Sequence, residues 1–597
     1  MLARLWNLAI QVICLAIASL VVADSEGTYL WNPPASNEAN GYARVIELKH
    51  AGDWNGKLIA TWEHWYTQNK DSGEPNGVPG SFIIRESQDG GNSWSTSATL
   101  TDQQSGTGHP CVRFWQPFLF EFPRSLGQYP EGTLVLVGVL MPLNSSYNSF
   151  FMWRSLDHGK TWDPEGEWQR GGTFLHGIWE PLLFVDSENK LVAIFSDERH
   201  DGWSQLIARM TSDDGGDSWS DPDFVVSSSN VQDRPGMATV ARMDNGQYAL
   251  GYEYCGKTNC QIYVKISDNG LDWDPSYMGD AISTTDGLYP SGSPFMVWEP
   301  IMKQLVISSS MAYLFYNDSL VSESGRAVFI NNQYGQGQWR WSPTPWDVQR
   351  KSETCRSNYS PNLFVRTNGK IRLTAPASEG NPIKCSERTG EAFIGVLPYQ
   401  SNFSADGQSG WINFGGDWSL SGNEYGFAPI QDRAAIAVTG STGWSIYTIT
   451  SDVMITGTSG EAGLMLHVVT AGPGVSTRLD PVQGFTFALE IPTGNMVLRQ
   501  EGAKSKILYS GTAPFSVQGN RWYRLSLGYR SDGNLAIAIG GSRANDPEEP
   551  DIHIGYTKEN IATSGGSSAD NDFGQGLAGL VGRNGGGRFK NVQIKAN

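Results

Sequence analysis

The stretch SLDHGKTW, Ser155 to Trp162, decides how the rest of the chain is read. An Asp and a Gly two positions apart specify a tight turn, in which the carboxylate accepts from backbone N–H groups and the Gly supplies a positive φ. The flanking Ser and Trp pin that turn to its own sheet. The pattern S-x-D-x-G-x-x-W returns at Ser87 to Trp94 (SQDGGNSW) and at Ser212 to Trp219 (SDDGGDSW), and a shortened version, SDNGLDW, runs from Ser267 to Trp273. With Asp89, Asp157, Asp214 and Asp268 as the key residues, the intervals are 68, 57 and 54 residues. Such a period suits a four-stranded unit with long loops, longer than a WD-type blade of about 40 to 45 residues.

This turn resembles the Asp box of sialidase-like β-propellers, where it lies on outer hairpin turns and has a structural role. Six copies of a second pattern, an apolar strand, a polar turn and another apolar strand, run along the chain. They are Tyr42 to Trp65, the pair from Cys111 (CVRFWQPFLFEFP) to LVLVGVLMP, Gly177 to His200, Arg234 to Gly256, Tyr289 to Ser310 and Asn358 to Ser378. Six copies predict a six-bladed, all-β propeller, with EAFIGVLPY, Glu391 to Tyr399, as its final strand. In the last two blades the turn has degenerated, and NNQYGQGQW from Asn331 is read as a relic of it.

Composition agrees with this reading. The 597 residues include 69 Gly and 22 Trp, only 17% are charged, and the net charge of −18 argues against nucleic acid or an anionic membrane as partner. Arg4 ahead of the apolar run Leu8 to Val22 predicts a signal peptide over residues 1–23, so an exported protein is expected. No later run is long and apolar enough to span a bilayer. Cys14 leaves with the signal. Cys255 and Cys260 flank a short loop, and Cys355 and Cys385 bracket one blade, so these are paired; Cys111 is the odd cysteine. Asn144, Asn317, Asn358 and Asn402 stand in glycosylation sequons. A monomer is expected.

From about Ser401 the chain turns to Gly-rich alternating strands with no helical periodicity. The expected organisation is a propeller over 24–399 followed by a lectin-like β-sandwich over 400–597. That second unit is either a stabilising spacer or a sugar-binding module. In the latter case Trp411, Trp418, Trp444 and Trp522 are stacking candidates, with the core as their competing place.

In a propeller the inner strands of all blades converge on the axis, so polar groups in corresponding places of the repeats should meet. Two carboxylates stand out. Glu180 lies in HGIWEPLL and Glu253 in LGYEYCG, each at a strand end among aromatic neighbours. Strand alternation puts Glu253 on one face with Ala249 and Gly251, which suits a crowded axis. Burying a carboxylate costs several kcal/mol, on the order of the cost of any unpaired charge, unless a partner or a task accounts for it. Paired carboxylates on one cleft are what glycoside hydrolysis needs. Asp197 and Glu198 in FSDERH and Glu63 in TWEHW compete for these roles, although carboxylates there commonly hold Arg or loops in place. No metal cluster, nucleotide loop or Ser-His-Asp order is visible, and no cofactor is expected.

The WEP strand, the YEYCG strand, the RPGM segment and the 73-residue spacing of the two Glu resemble glycoside hydrolase family 93, the secreted fungal exo-α-1,5-L-arabinanases that release arabinobiose from linear arabinan. The resemblance covers roughly Tyr29 to Tyr399. It implies a retaining mechanism with Glu180 as acid/base and Glu253 as nucleophile. Arg44, Arg199 and Arg234 are candidate hydroxyl donors, and Trp62, Trp115, Trp179 and Tyr359 candidate aromatic surfaces for a furanose. Two rival readings stay open. An exo-sialidase would use Tyr359 as nucleophile assisted by Glu253, with Arg44 in a strand like the sialidase Arg-Ile-Pro strand, though the Ile-Pro is missing. A non-catalytic propeller lectin would need neither Glu.

Overall fold

A computed structural model describes residues 27–34, 38–66, 80–102, 111–142, 146–256, 258–348, 355–380, 383–404, 407–470, 483–502, 505–541, 554–562 and 574–597. The signal-peptide reading and the Asn144 sequon lie outside these residues, as does the side chain of Cys111. Among the described residues there is no α-helix, and no helix long and apolar enough to cross a membrane.

Six antiparallel sheets form the propeller. Blade 1 is Glu38–Glu47, Leu58–Tyr66, Phe82–Ser87 and Ser95–Leu100, and blade 2 is Cys111–Glu121, Leu134–Pro142, Ser149–Ser155 and Asp163–Arg170. Blade 3 is Ile178–Val185, Leu191–Asp197, Leu206–Ser212 and Asp223–Val226. Blade 4 opens with Arg234–Arg242, Tyr248–Cys255 and Gln261–Ser267. Blade 5 is Phe295–Glu299, Gln304–Ser308, Ala327–Asn331 and Arg340–Pro343, and blade 6 opens with Asn362–Val365, Ile371–Glu379 and Lys384–Ala392. The first strands touch in succession around a ring, with that of blade 6 against that of blade 1. Each blade packs face to face on its neighbours, so a second strand is covered on both sides. Leu134–Pro142 is accordingly buried throughout, whereas the outer strand Asp163–Arg170 is mostly open and polar.

The expected final strand differs from the observed one. The third strand of blade 6 ends at Ala392, and its fourth strand is Thr28–Trp31, paired with Thr28 opposite Thr389 and Trp31 opposite Glu387. The segment Thr28–Trp31 thus covers the last blade's open edge, which an unpaired row of N–H and C=O groups would otherwise expose.

The S-x-D-x-G-x-x-W turns join third and fourth strands. In blade 2, Asp157 Oδ1 accepts from Lys160 and Thr161 N–H at 3.1 and 2.9 Å, and Ser155 Oγ takes the Gly159 N–H at 2.9 Å. The Trp162 indole donates back to Gly159 O at 3.3 Å. Asp89 and Asp214 repeat these contacts, and the acceptor role pulls both carboxyls down to about 2 against the opposing effect of burial. In blade 4 the key residue is Asn269, not Asp268: its Oδ1 accepts from Leu271 and Asp272 N–H at 2.9 Å, while Asp268 takes the Gln247 amide. The acceptor keeps its place two residues after the Ser, and the turn is shortened beyond it. In blade 5 Asn331 Oδ1 receives the Gly335 N–H at 2.9 Å, as Ser155 does that of Gly159.

The C-terminal part is one 13-stranded, nearly closed antiparallel sheet. Its spine is Leu577–Ala596, whose first half pairs with Gly460–Val469 and Glu424–Thr439 and whose second half pairs with Tyr447–Thr456 and Tyr399–Ser401. This sheet is docked on blades 4 and 5 through a shared core, with Phe329, Trp339 and Trp341 in one buried cluster with Ile412, Phe414, Ile436, Met465 and Val581. Trp341 and Thr442 exchange two hydrogen bonds across the junction at 3.0 Å. Trp411, Trp444 and Trp522 are buried, and Trp418 is wedged among Tyr425, Phe427 and Phe589. The stacking role considered for these four is corrected: apolar packing claims the faces of Trp411, Trp418 and Trp444, and Trp522 is buried with the Lys590 ammonium 4.1 Å from its ring centroid.

Candidate active site

The inner strands carry a repeated distortion. Tyr42, Gln116, Glu180, Met237, Ser293 and Ser360, one per blade, all have φ between 45° and 56°. In blades 1 to 4 the pairing register breaks at this residue. Each such bulge costs on the order of 1–3 kcal/mol and re-aims one side chain. Four of the six are followed by Pro (Pro117, Pro181, Pro294, Pro361), which has no N–H for the ladder to lose.

Glu180 is the third residue of its inner strand, and Glu253 the third from the end of a second strand. Because alternate strands reverse direction, both lie at the same end of the propeller. The motif turns, which join third to fourth strands, lie at the other.

The two carboxylates have different surroundings. Each keeps part of its surface open while protein surrounds the rest. Glu180 Oε1 accepts from Gln116 Nε2 at 3.0 Å, and Oε2 is turned into the protein, closed to solvent. Burial, then the charges of Glu253 and Glu198, push Glu180 up to about 8, with Ser196 and Arg234 opposing. Glu253 Oε2 accepts the Ser293 N–H at 2.7 Å. Burial raises Glu253 too, but that N–H and Arg234 favour its charged form. The face it shares with Ala249 and Gly251 turns to blade 5, where a Cβ on Gly251 would come within 3.0 Å of Ile307. Cys255, bonded to Cys260, brings its sulfur to 3.7 Å from Glu253 Oε1. The second pair, Cys355–Cys385, is also bonded. Burial thus raises both carboxyls, but Glu180 also stands in the field of two other carboxyls while Glu253 is opposed by a backbone N–H and Arg234, an asymmetry of the kind an acid and a nucleophile or base require.

Other residues meet the same cluster. Glu63 Oε1 accepts the Gln116 N–H at 2.8 Å, and burial pushes Glu63 up to about 7. Tyr359 sits half-buried within the field of Glu180, Glu253 and Glu63, and burial followed by those charges holds its phenol neutral. Arg44 is buried with its guanidinium 3.9 Å from the Tyr42 ring centroid, donating to Ala43 O, Ser360 O and Ser360 Oγ. Glu387 is fully buried next to Glu63 and Arg44, and burial raises it well above the carboxylate range. Trp179 donates its indole N–H to Glu198 at 2.9 Å and, with Trp115 and the half-exposed Phe174, forms an aromatic group.

Several expected site residues do other work. Trp62 is fully buried in the blade core against Trp31, a correction to its proposed contact with substrate; the alternation that places Glu63 on the axis turns Trp62 away. Asp197 grips Arg199 at 2.9 and 2.6 Å, and Arg199 also donates to Arg170 O, outside the carboxylate cluster. Arg234 donates to Glu198, Gln205 and Ser204, so Glu198 holds an arginine and a loop, as anticipated for that segment. Asn358 is buried and spends both amide protons on Ser309 O and Ser310 O at 2.9 and 2.8 Å, which removes it from the glycosylation candidates; Asn317 and Asn402 are exposed. Gln116 and Ser293 were not foreseen. The signal for Gln116 was available: WQP in blade 2 is the counterpart of WEP in blade 3.

The propeller resembles solved glycoside hydrolases of family 93. The GH93 α-L-arabinofuranosidase of Fusarium graminearum, in complex with arabinobiose, aligns at 25% identity and a TM-score of 0.50, covering 61% of this chain and 97% of that chain. The α-L-arabinanase of Penicillium chrysogenum, also complexed with arabinobiose, gives the same values. An iminosugar complex of the F. graminearum α-L-arabinofuranosidase aligns at 26% identity, with a TM-score of 0.50 and the same coverage. The covered share of this chain equals that of residues 28–392, the span of the six blades. No protein-family model and no curated protein sequence matches the chain.

Proposed function

We propose that this protein is an exported, retaining glycoside hydrolase that cleaves α-1,5-linked L-arabinan from a chain end and releases arabinobiose. Glu180 is the acid/base and Glu253 the nucleophile. Residues 1–23 are the signal, 24–399 the catalytic unit and 400–597 an accessory unit. The observation that carries the reading is the asymmetry of the two carboxyls: burial and neighbouring carboxyls favour the proton on Glu180, whereas Ser293 N–H and Arg234 support the charge of Glu253.

In the first step a Glu253 oxygen bonds to the anomeric carbon as the glycosidic C–O bond breaks, and the Glu180 proton passes to the leaving oxygen. In the second, Glu180 takes a proton from water, whose oxygen displaces Glu253 and restores both carboxyls. Tyr359, kept neutral, donates a hydrogen bond to the sugar, and Trp179 and Trp115 offer apolar faces. The arabinobiose bound by the two GH93 neighbours supports arabinan as the substrate.

The sialidase reading loses support because Arg44, Arg199 and Arg234 are each already held by protein acceptors. The test is incubation of the secreted protein with linear debranched arabinan, with sialyllactose in parallel, and chromatography of the released sugars. A single arabinobiose product that vanishes in Glu180→Gln and Glu253→Gln is expected. Sialic acid release would overturn the assignment, and binding without turnover would mean a lectin.

A further inference from the structure

Gln116 joins three blades at the centre of the site. Its side-chain Oε1 accepts the Glu180 N–H at 3.0 Å while its Nε2 donates to Glu180 Oε1 at 3.0 Å, and its own N–H goes to Glu63 Oε1 at 2.8 Å. A backbone N–H can only donate, so the first contact fixes which end of the amide is oxygen, and the NH2 must face Glu180 Oε1. Gln116 cannot turn to present its other end without losing both bonds. Its φ of 51° places it at the same bulge in blade 2 that Glu180 occupies in blade 3.

Resting on the hydrolase reading above, we propose that Gln116 is a positioning residue that fixes the plane of the Glu180 carboxyl and supports its charged form, and that Glu63 anchors Gln116 in this role. Oε1 is held by the amide, and Oε2 is turned into the protein, closed to solvent. In glycosylation the Glu180 proton passes to the leaving-group oxygen, and in deglycosylation Glu180 receives one back from water, each time through a carboxyl whose orientation the amide sets. Gln116 itself gains and loses nothing. The carboxyl plane is held by the amide, so the proton is aimed rather than shared between two rotamers.

The test compares the full-length wild type with Gln116→Leu, Gln116→Glu and Glu63→Leu on α-1,5-arabinobiosides of two kinds, one with an alkyl leaving group that needs protonation and one with a dinitrophenyl group that does not. General acid catalysis contributes about 10²–10⁴-fold, and misplacing it should cost a part of that. Gln116→Leu is expected to lower kcat/KM about 10–100-fold on the alkyl glycoside and about 2–3-fold on the dinitrophenyl one. Loss of the N–H donor also disfavours the carboxylate, so the alkaline limb of the pH profile moves up. Gln116→Glu sets two carboxyls together and should move that limb further, by about 1–2 pH units. Glu63→Leu should show the same leaving-group dependence in weaker form. Thermal unfolding of each variant establishes that it folds, and Gln116→Glu, nearly isosteric, serves if Gln116→Leu does not. Equal losses on both substrates with an unmoved alkaline limb would overturn the proposal and leave Gln116 a structural residue. A wild type inactive on every arabinoside would instead overturn the hydrolase reading itself.

Discussion

The carboxyl proposed as the acid/base should also weaken the fold, and Glu180→Gln tests this. Glu180 is pushed from an ordinary 4.5 up to about 8, chiefly by burial. The folded state therefore holds this proton more tightly than the unfolded state does. The associated stability is fully present below about pH 4.5 and is lost as pH rises through the folded value near 8, levelling off beyond it. A tenfold difference in proton affinity between the two states is worth about 1.4 kcal/mol, so the loss at pH 7 amounts to about 3 kcal/mol. Glu180 retains some contact with solvent, so about 1–3 kcal/mol is the expected range. The amide keeps the shape, still accepts from Gln116 and cannot ionise. Glu180→Gln should thus raise Tm by about 1–4 °C at pH 7 for a propeller of this size, by more at pH 8, and by nothing near pH 4.5, while abolishing turnover of arabinan. Scanning calorimetry of both proteins from pH 4.5 to 8.5 reads this directly. A variant that melts at or below the wild type throughout, or whose advantage does not grow with pH, would refute the reasoning.

Replacing Asp157 or Asp214 by Ala removes the acceptor of two backbone N–H groups far from the carboxylates, so a Tm loss corresponding to about 1–2 kcal/mol is expected with kcat unchanged. Peptide mapping of protein made in a glycosylating host should find glycan at Asn317 and Asn402 and an unmodified Asn358. Asn358→Ala would leave Ser309 and Ser310 carbonyls unpaired and should cost about 1–3 kcal/mol by denaturant unfolding. Removing residues up to Trp31 exposes the edge of Lys384–Ala392 and should promote aggregation on concentration, measured by light scattering.

How much was legible in the sequence differs between elements. The hairpin turns were readable because their chemistry is local: Ser155, Asp157, Gly159 and Trp162 satisfy one another within eight residues. The reading failed at Asp268, because the place two residues after Ser267, equivalent to Asp157, is Asn269, whose amide oxygen accepts the turn's N–H groups as the carboxylates do. Glu180 and Glu253 stood out because a carboxylate among aromatic residues at a strand end is costly unless it is used. Trp62 looked equivalent by type, and the direction in which its strand faces decided otherwise. Asn358 sits in a sequon that any scan finds, and its burial comes from loops of blades 5 and 6.

By itself, the sequence determined the repeat, the blade count, the turn chemistry and the two outstanding carboxylates, since each follows from residues close together or from a recurring pattern. Only the tertiary structure decided that Thr28–Trp31 completes the last blade, that the C-terminal tryptophans are core, and that Gln116 stands between Glu63 and Glu180. The physical reason is the convergence of six inner strands on one axis. It brings together groups that are 53 and 64 residues apart, in an environment of low polarity that gives identical carboxyls different affinities for a proton.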